Sequence, residues 1–233
     1  MSTNDKAGPA RRSARAEGRT AELIIEAAER LFAERGIDGV SLREINRAAG
    51  QNNTAAVQYY FGDRGGLVQA ILARHREDDE HRRHALLDEY EHRAEPDLWS
   101  LAGALVEPLA AKLHDPDGGR AYLQIAAEHY SRPGTAEELI AHPPANSSMM
   151  RWHRLVDELV RAEERTVLHS RFPALRFALV ELARRAAAPP RRDDTLFVSH
   201  LTDLVSAVLA AEPSDRTLGL LARRKRNASP APT

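Results

Sequence analysis

The 233-residue sequence contains no cysteine, which excludes disulfide bonds, thiolate zinc sites and a cysteine nucleophile. Aromatic residues make up only 5% of the chain, so its core has to be built mainly from leucine and alanine. No apolar run approaches the roughly 20 residues that span a bilayer, and the N-terminal residues lack the apolar segment of a secretory signal. These absences indicate a soluble, cytoplasmic protein without a membrane partner.

The net charge is small, but its distribution along the chain is uneven. Residues 1–76 carry 12 Lys or Arg against 9 Asp or Glu, whereas the remaining residues carry 21 against 25. A basic front on an acidic body favours a polyanionic partner at one end of the molecule. A chance scatter of charges over a polar surface is the alternative interpretation.

The sequence lacks the alternation typical of strands, and it has no internal repeat. Apolar residues instead recur at helical spacing between Pro- and Gly-containing breaks, which predicts an all-α protein of about nine helices. Residues 1–18 are polar and predict a disordered arm, followed by a helix from Thr20 to Arg35. Residues 212–233 predict a flexible basic tail.

Two local signals mark the end of this first helix and the start of the second. Gly36 suits the left-handed position after a helix, and Ile37 can pack back on Phe32, as in a Schellman stop. Ser41 and Glu44 have the spacing of a capping box, in which each side chain satisfies a backbone N–H of the other residue.

The second helix is short and ends at the Ala-Ala-Gly sequence of residues 48–50. Asn52 or Asn53 can cap a third short helix that reaches about Tyr60. Two short helices joined by a Gly-containing turn, with one packing helix ahead of them, are the plan of a helix-turn-helix unit. The sequence therefore predicts a three-helix DNA-binding unit at the N-terminal end.

Amide side chains cluster where this unit would meet DNA. The second helix of such a pair enters the major groove, and Asn and Gln can bond adenine through two hydrogen bonds. Ala55 and Ala56 could touch thymine methyl groups. The candidates for contacts with base edges are Gln51, Asn52, Asn53, Thr54 and Gln58.

Residues 20–72 resemble the DNA-binding domain of TetR-type bacterial transcriptional regulators. The matching pieces are AAERLFAERGIDGVSLREI, RAAG and VQYYFGDRGGLV, which occur in the family's order. The resemblance implies a core position for Phe61. It also implies phosphate contacts, for which the candidates are Ser41, Arg43, Tyr59, Tyr60 and Arg64.

Three features depart from the family pattern. One extra residue lies between Gly50 and Phe61, which alters either the turn or the start of the recognition helix. Asn46 stands where a small alanine is usual. Gly65 and Gly66 replace the usual acidic start of the following helix, and they lower its helix propensity.

The resemblance also implies how the rest of the chain is organised. Residues 19–66 would form the DNA-binding domain, and residues 67–211 a larger helical domain for ligand binding and dimerisation. In the family, the last two long helices pair with those of a second subunit. The candidates for this interface are Phe177, Val180, Leu201, Leu204, Val205 and Val208, and an ordinary intramolecular core is the alternative.

A small-molecule pocket would lie between the middle helices. Aromatic, soft or titratable side chains suit such a site, although they are equally typical of a plain core. The candidates are Tyr90, Trp99, Tyr122, Ile125, His129, Met149, Trp152 and His153. Neither a metal nor a cofactor is expected, because His81 and His84 lie in a run of charges typical of a solvated helix face.

These features together favour a homodimeric repressor that binds double-stranded DNA at a palindromic operator and is released by a small-molecule effector. One alternative is an architectural protein that binds DNA without an effector. Another is an all-α enzyme, but the chain has no nucleophile elbow, no Gly-rich phosphate loop and no metal-ligand spacing. We therefore do not expect an enzyme.

Overall fold

A computed structural model describes residues 9–51, 53, 55–135, 147–160 and 171–228. Within these ranges the chain forms ten helices and no strand, which confirms the predicted all-α class and comes close to the expected number of helices. The helices are α1 (Pro9–Arg35), α2 (Leu42–Ala48), α3 (Ala56–Phe61), α4 (Arg64–Glu91), α5 (Leu98–Ala111), α6 (Gly119–Tyr130), α7 (Ser148–Leu159), α8 (Arg171–Ala187), α9 (Thr195–Ala210) and α10 (Asp215–Ala228).

The first helix starts earlier than the sequence analysis expected. α1 begins at Pro9, so residues 9–18 are helical rather than part of a disordered arm, and residues 1–8 lie outside the described residues. Proline is favoured at the first helical position, since its missing N–H has no partner there in any helix. The following Ala, Arg and Glu residues are strong helix formers. The expectation was wrong because a polar composition was taken for disorder.

Helix α1 buries the face that its apolar spacing predicted. Ile24, Ala28 and Phe32 are almost fully buried, and α1 packs against both α2 and α6. Leu23, on the neighbouring side of the helix, stays 40% exposed. The buried stripe of α1 therefore supports α2, which in turn contacts α3.

The described chain divides into two compact units. The first takes in the described residues of Met1–Asp79, Ala111–Thr135 and Leu182–Pro190, and the second those of Glu80–Ala110, Ala136–Glu181 and Arg191–Thr233. Helix α4 continues unbroken through residues 66 and 67, where the sequence analysis placed a domain boundary. That boundary stays a prediction about function.

The second unit has a mostly apolar core built around Trp152, which is fully buried on α7. Its indole N–H donates to the backbone carbonyl of Leu101 on α5 at 2.6 Å. Leu201, Val205 and Leu209 form the buried face of α9. These contacts join α5, α7 and α9 into one body.

Apolar helices in the described residues are short. None of them alone is long and apolar enough to cross a membrane; Thr195–Ala210 and Asp215–Arg224 meet the requirement of length and composition only as a pair bent by 49°.

The predicted flexible tail contains a further helix. α10 starts at Asp215, and the Ser214 hydroxyl accepts a hydrogen bond from the Thr217 N–H at 3.4 Å, as an N-cap residue does. Leu, Ala, Arg and Lys then propagate the helix, because straight-chain side chains lose little rotamer freedom in it. The basic composition was read correctly, but its helix-forming tendency was missed.

Candidate nucleic-acid interface

The capping box predicted at the start of α2 is present. Glu44 Oε2 accepts hydrogen bonds from the Ser41 N–H at 2.8 Å and from the Ser41 hydroxyl at 2.7 Å. The Glu44 N–H donates to Ser41 Oγ at 3.3 Å, and Arg35 bonds the other carboxylate oxygen at 2.9 Å. These donors, Ser41 first and Arg35 after it, lower the pKa of Glu44 from its ordinary 4.5 to about 2.

Ser41 therefore uses its hydroxyl inside the box, where the sequence analysis expected a phosphate contact. The exposed side chain of Arg43, which lies in the first turn of α2, is the better placed of the two phosphate candidates there. Both phosphate assignments stay predictions.

The loop between α1 and α2 is held from two other helices. Arg64 on α4 donates through Nη1 to the backbone carbonyls of Val40, at 2.6 Å, and of Ile37. From α6, the carboxylate of Glu128 accepts the Ile37 N–H at 2.9 Å, and Arg132 joins Glu128 to Asp38 with two contacts of 2.9 Å. One backbone N–H and two backbone carbonyls of the loop are thereby hydrogen-bonded to side chains.

This arrangement changes two assignments made from the sequence. The Gly36 N–H bonds the Phe32 carbonyl at 2.8 Å, but the Ile37 N–H goes to Glu128 rather than back into α1, so the stop is not a full Schellman motif. Arg64, a predicted phosphate contact, is half-buried and positions the loop with Nη1.

The turn between α2 and α3 is organised by Asn46, a residue that the sequence analysis noted only as unusual. Asn46 is 1% exposed, and its side-chain oxygen accepts the backbone N–H of Val57 at 3.1 Å. Its carbonyl accepts the Gln51 N–H at 2.9 Å, just after Gly50 turns the chain with φ +67°. Val57 lies in the first turn of α3, so Asn46 satisfies one of the N–H groups that a helix start leaves unpaired.

A signal for this role was available in the sequence. Asn46 follows Ile45 on the inward side of α2, and a buried amide in a short helix has to find a hydrogen-bond partner.

Only one of the predicted base-edge residues lies on α3 itself. The helix begins at Ala56, so Gln51 and Asn53 lie in the turn before it, and Asn52 and Thr54 lie outside the described residues. Gln58 is exposed on α3. α3 therefore starts later than a cap at Asn52 or Asn53 predicted.

The two amides of the turn that the structure describes bond backbone groups nearby. Gln51 is half-buried, and its Nε2 donates to the Ala49 carbonyl at 3.1 Å. Asn53 accepts the Ala55 N–H at 2.9 Å through its side-chain oxygen, which is an Asx turn leading into α3. Ala56 is buried and cannot make the thymine contact that was considered for it, whereas Ala55 is exposed.

The tyrosines at the end of α3 differ in exposure. Tyr59 is 74% exposed and Tyr60 is half-buried, and their rings meet edge to face with centroids 5.0 Å apart. Phe61, predicted to lie in the core, is only half-buried, with its ring centroid 6.2 Å from that of Tyr60. Gln58 and Tyr59 therefore form the outward side of α3.

Gly66, the second of the two glycines at the start of α4, has a structural reason. A Cβ on Gly66 would lie 2.0 Å from the Phe61 carbonyl, so only glycine allows α4 to begin so close behind α3. Asp63, directly before α4, accepts the Gly66 N–H at 2.8 Å, whereas the first turn of α4 itself contains no acidic residue, as the sequence indicated.

A buried polar cluster lies beneath this surface in the first unit. Glu29 on α1 pairs with His75 on α4 at 3.1 Å, and the His75 ring stacks on Tyr122 of α6 with centroids 4.5 Å apart. The Tyr122 hydroxyl donates to Asp79 at 2.8 Å. Charge-assisted bonds thus connect α1, α4 and α6.

Lys112 belongs to the same cluster, and its side chain is only 3% exposed. Its Nζ lies 2.9 Å from Asp78 Oδ2 and 3.5 Å from Asp115 Oδ2. Burial opposes its charge, but the hydrogen bond to Asp78 and the charges of Asp79, Asp78 and Asp115 prevail and raise its pKa.

The residues predicted to line a ligand pocket fall in both compact units. Tyr122, Ile125 and His129 belong to the first unit, and the first two are buried. The members in the second unit are Tyr90, Trp99, Met149, Trp152 and His153. Each unit therefore has to be considered separately as a place for a ligand.

Several of these side chains have structural partners. The Tyr122 hydroxyl bonds Asp79, and the Trp152 indole bonds Leu101. Trp99 is 46% exposed, and its indole N–H donates to Asp203 of α9 at 2.8 Å. The more core-like members are Tyr90, whose pKa is raised by burial and by the nearby carboxylates, and His153, whose ring lies 5.3 Å from that of Trp152.

The candidates for a dimer interface also divide by exposure. Leu201 and Val205 are buried within the second unit, and Phe177 and Val208 are half-buried. Exposed apolar side chains remain on α8 at Val180, which is 47% exposed, and on α9 at Leu204 and Leu196, which are 39% and 84% exposed.

The N-terminal part of the chain matches known regulators. Residues 24–71 match the family model of bacterial regulatory proteins of the tetR family. The probable HTH-type transcriptional regulator YttP of Bacillus subtilis (strain 168) is 41% identical over 54 residues, which are 23% of this chain and 26% of that protein. The match thus spans about a quarter of the length of this curated relative.

Solved structures overlap a larger share of the chain at low identity. An alanine-substituted mutant of HlyIIR is 18% identical with a TM-score of 0.44, covering 84% of this chain and 97% of that one. A TetR-family regulator from Mesorhizobium loti is 15% identical with a TM-score of 0.43, covering 83% and 96% of the two chains.

The family match covers α2 and α3 completely, together with the last part of α1 and the first part of α4. It therefore contains the capping box, the Asn46 turn and the exposed Gln58 and Tyr59. Over residues 24–71 the chain is therefore similar to bacterial transcriptional regulators of the TetR family.

Proposed function

We propose that this chain is a homodimeric, sequence-specific repressor that binds a palindromic operator in double-stranded DNA through α3. The observation that carries the proposal is the pair of exposed side chains Gln58 and Tyr59 on α3, a helix whose start is pinned by the buried Asn46. An amide can bond adenine in the major groove, and a tyrosine hydroxyl can hold a phosphate. One side of α3 thus carries a side chain that can contact a base and a side chain that can contact a phosphate.

A gel shift with the DNA upstream of the protein's own gene tests this reading. We expect Gln58→Ala to reduce discrimination between that DNA and a scrambled duplex, since a bidentate base contact contributes about 1–3 kcal/mol of discrimination. Tyr59→Phe should weaken binding to both duplexes equally. Gln69→Ala, at an exposed amide on α4, is the matched control. Unchanged binding by the folded Gln58 and Tyr59 variants would contradict the assignment.

Dimerisation is supported by the exposed apolar side chains on α8 and α9. Val180 and Leu204 are large apolar residues left at the surface of two helices whose other faces are buried. Exposed apolar patches of this kind mark interaction sites, and a twofold dimer suits a palindromic operator.

Light scattering on the full chain tests the dimer. Val180→Glu or Leu204→Glu should shift the mass toward that of a monomer. Leu23→Glu, at a leucine of α1 that is 40% exposed, should leave it unchanged. A wild-type monomer at all concentrations would exclude the dimer.

Release by a small-molecule effector is the third part of the proposal. α4 starts at Arg64, just behind α3, and continues as one helix to Glu91. A ligand that prefers one position of α4 can therefore alter the position of α3, but only by as much as its affinities for the two states differ.

A panel of small apolar compounds can be screened by thermal shift, and those that stabilise the protein added to the gel shift. We expect at least one to weaken DNA binding. If every compound that binds leaves the DNA affinity unchanged, the chain is better described as a DNA-binding protein without an effector.

A further inference from the structure

The C-terminal helix α10 carries a concentration of positive charge. Residues 212–233 contain 5 Lys or Arg against 2 Asp or Glu, and four of the basic residues form the unbroken run 223–226. The stretch before it, residues 77–211, contains 16 Lys or Arg against 23 Asp or Glu. α10 is therefore a basic element that follows an acidic part of the chain.

The arginine side chains of α10 are exposed to solvent. Thr217, Leu218 and Leu221 are half-buried and lie on one side of the helix. Arg216 and Arg223 are two turns apart on the opposite side, because residues at such spacing share a helix face. The exposed arginines are Arg216, Arg223, Arg224 and Arg226.

Within the described residues, these arginines have no acidic partner. In the part of the chain that the structure describes, their guanidinium groups form no ion pair or side-chain hydrogen bond. Basic residues in a last turn can serve only to complement the helix dipole, an effect of about 0.3–1 kcal/mol at an exposed site. Complementing the dipole does not explain Arg216, which lies in the first turn. The exposed arginines together therefore indicate an anionic partner outside the protein.

We propose that the exposed face of α10 binds the phosphate backbone of double-stranded DNA, as a sequence-independent DNA contact separate from that of α3. The planar guanidinium group matches phosphate geometry with two donors, and phosphate contacts supply most non-specific DNA binding. The inference rests on the proposed DNA-binding function.

The same helix is poorly suited to an anionic membrane surface. An interfacial helix buries an apolar face among the lipids, but the apolar residues Leu218 and Leu221 are already half-buried against the protein. Leu220 is the one leucine of α10 with a mostly exposed side chain, at 56%. Since α10 has exposed positive charge but no exposed apolar face, a nucleic-acid backbone is the better partner.

The test compares two pairs of adjacent exposed arginines in the full chain. Arg223→Gln/Arg224→Gln removes two charges from α10, and Arg191→Gln/Arg192→Gln removes two from the segment between α8 and α9. Binding to the DNA upstream of the gene and to a scrambled duplex is measured by fluorescence anisotropy at several salt concentrations.

We expect the α10 pair to weaken binding to both duplexes by the same factor. The slope of log affinity against log salt should fall by about 1.8 for each protomer, and so by about 3.6 for the proposed homodimer, at roughly 0.9 for each lost phosphate contact. The control pair should leave affinity and slope unchanged. Arg223→Lys/Arg224→Lys, which keeps the charges, should retain the wild-type slope, and far-UV circular dichroism shows whether α10 stays folded in each variant.

Identical salt slopes for the α10 pair and the control pair would overturn the inference while leaving the proposed function intact. A loss confined to the upstream duplex would also overturn it, since it would indicate base reading. So would wild-type binding to phosphatidylserine vesicles that the α10 pair abolishes while DNA binding is unchanged. Failure of the wild type to bind either duplex would instead refute the proposed function itself.

Discussion

The side-chain oxygen of Asn46 accepts the backbone N–H of Val57 at 3.1 Å, and this bond joins α2 directly to the first turn of α3. The donor belongs to a helix of only six residues, which has little stability of its own. A hydrogen bond between α2 and the first turn of α3 therefore fixes the position of α3 relative to α2.

Replacing Asn46 with alanine should lower stability by about 1–3 kcal/mol, because it leaves a buried N–H without its acceptor. Arg47→Ala, at the neighbouring exposed position, should change stability by less than about 0.5 kcal/mol. Thermal unfolding measures both. Equal stabilities for the two variants would show that the bond contributes nothing.

The capping box should make stability depend on acid pH. The pKa of Glu44 is lowered to about 2, so its contribution is fully present above its ordinary value of 4.5 and is lost as the pH falls toward 2. Glu44→Gln should therefore flatten the decline of the unfolding midpoint over that range. Glu34→Gln, at an exposed glutamate of α1 outside the box, is the control and should follow the wild type.

A series at Glu128 separates its hydrogen bond from its ion pair. Glu128→Gln keeps an acceptor for the Ile37 N–H and loses only the pair with Arg132, which is exposed enough to contribute little. Glu128→Ala loses both and should cost about 1–3 kcal/mol. Denaturant unfolding tests the order wild type, Gln, Ala. If the Gln variant is as unstable as the Ala variant, the ion pair is the larger contribution.

Gly118→Ala should be more destabilising than Gly134→Ala, although both glycines have similar φ angles of +90° and +87°. The left-handed backbone alone costs a non-glycine residue about 1–2 kcal/mol. At Gly118 a Cβ would also lie 2.7 Å from the buried carboxylate of Glu29, whereas at Gly134 none of the described atoms lies within 4 Å.

The overpacked Gly118 variant should therefore lose about 1–3 kcal/mol more than the other. Differential scanning calorimetry on both variants gives the difference. A zero difference would mean that Glu29 moves aside without cost.

The sequence predictions that the structure confirms were based on residue patterns over short stretches of chain. The capping box joins Ser41 to Glu44, three residues apart, and the buried stripe of α1 follows helical spacing. Interactions between near neighbours depend on residue type and spacing, which a sequence displays directly.

Long-range contacts explain most of what the sequence analysis missed. Arg64 bonds Ile37 and Val40, which are 27 and 24 residues away, and Glu128 bonds Ile37 at a distance of 91 residues. A charged residue on a helix looks like a surface residue until the fold brings a backbone group to it. The phosphate contact that the family resemblance implied for Arg64 stays a prediction.

The pocket candidates stay a prediction, since side-chain type alone does not define a site. Residues such as Tyr122 and Trp152 were chosen by side-chain type, and type does not distinguish a ligand contact from a buried residue with a structural partner. The hydroxyl of Tyr122 and the indole of Trp152 bond other parts of the protein.

The first compact unit is assembled from three separate stretches of chain, and this bears on folding during synthesis. Its last stretch is Leu182–Pro190, where the carbonyls of Ala186 and Ala188 accept hydrogen bonds from Arg120 of α6. A ribosome delivers the chain from its N-terminus, and domains tend to fold as they emerge. The half of the molecule that bears α3 therefore stays incomplete until residue 190 has left the exit tunnel, although its first residues are made earliest.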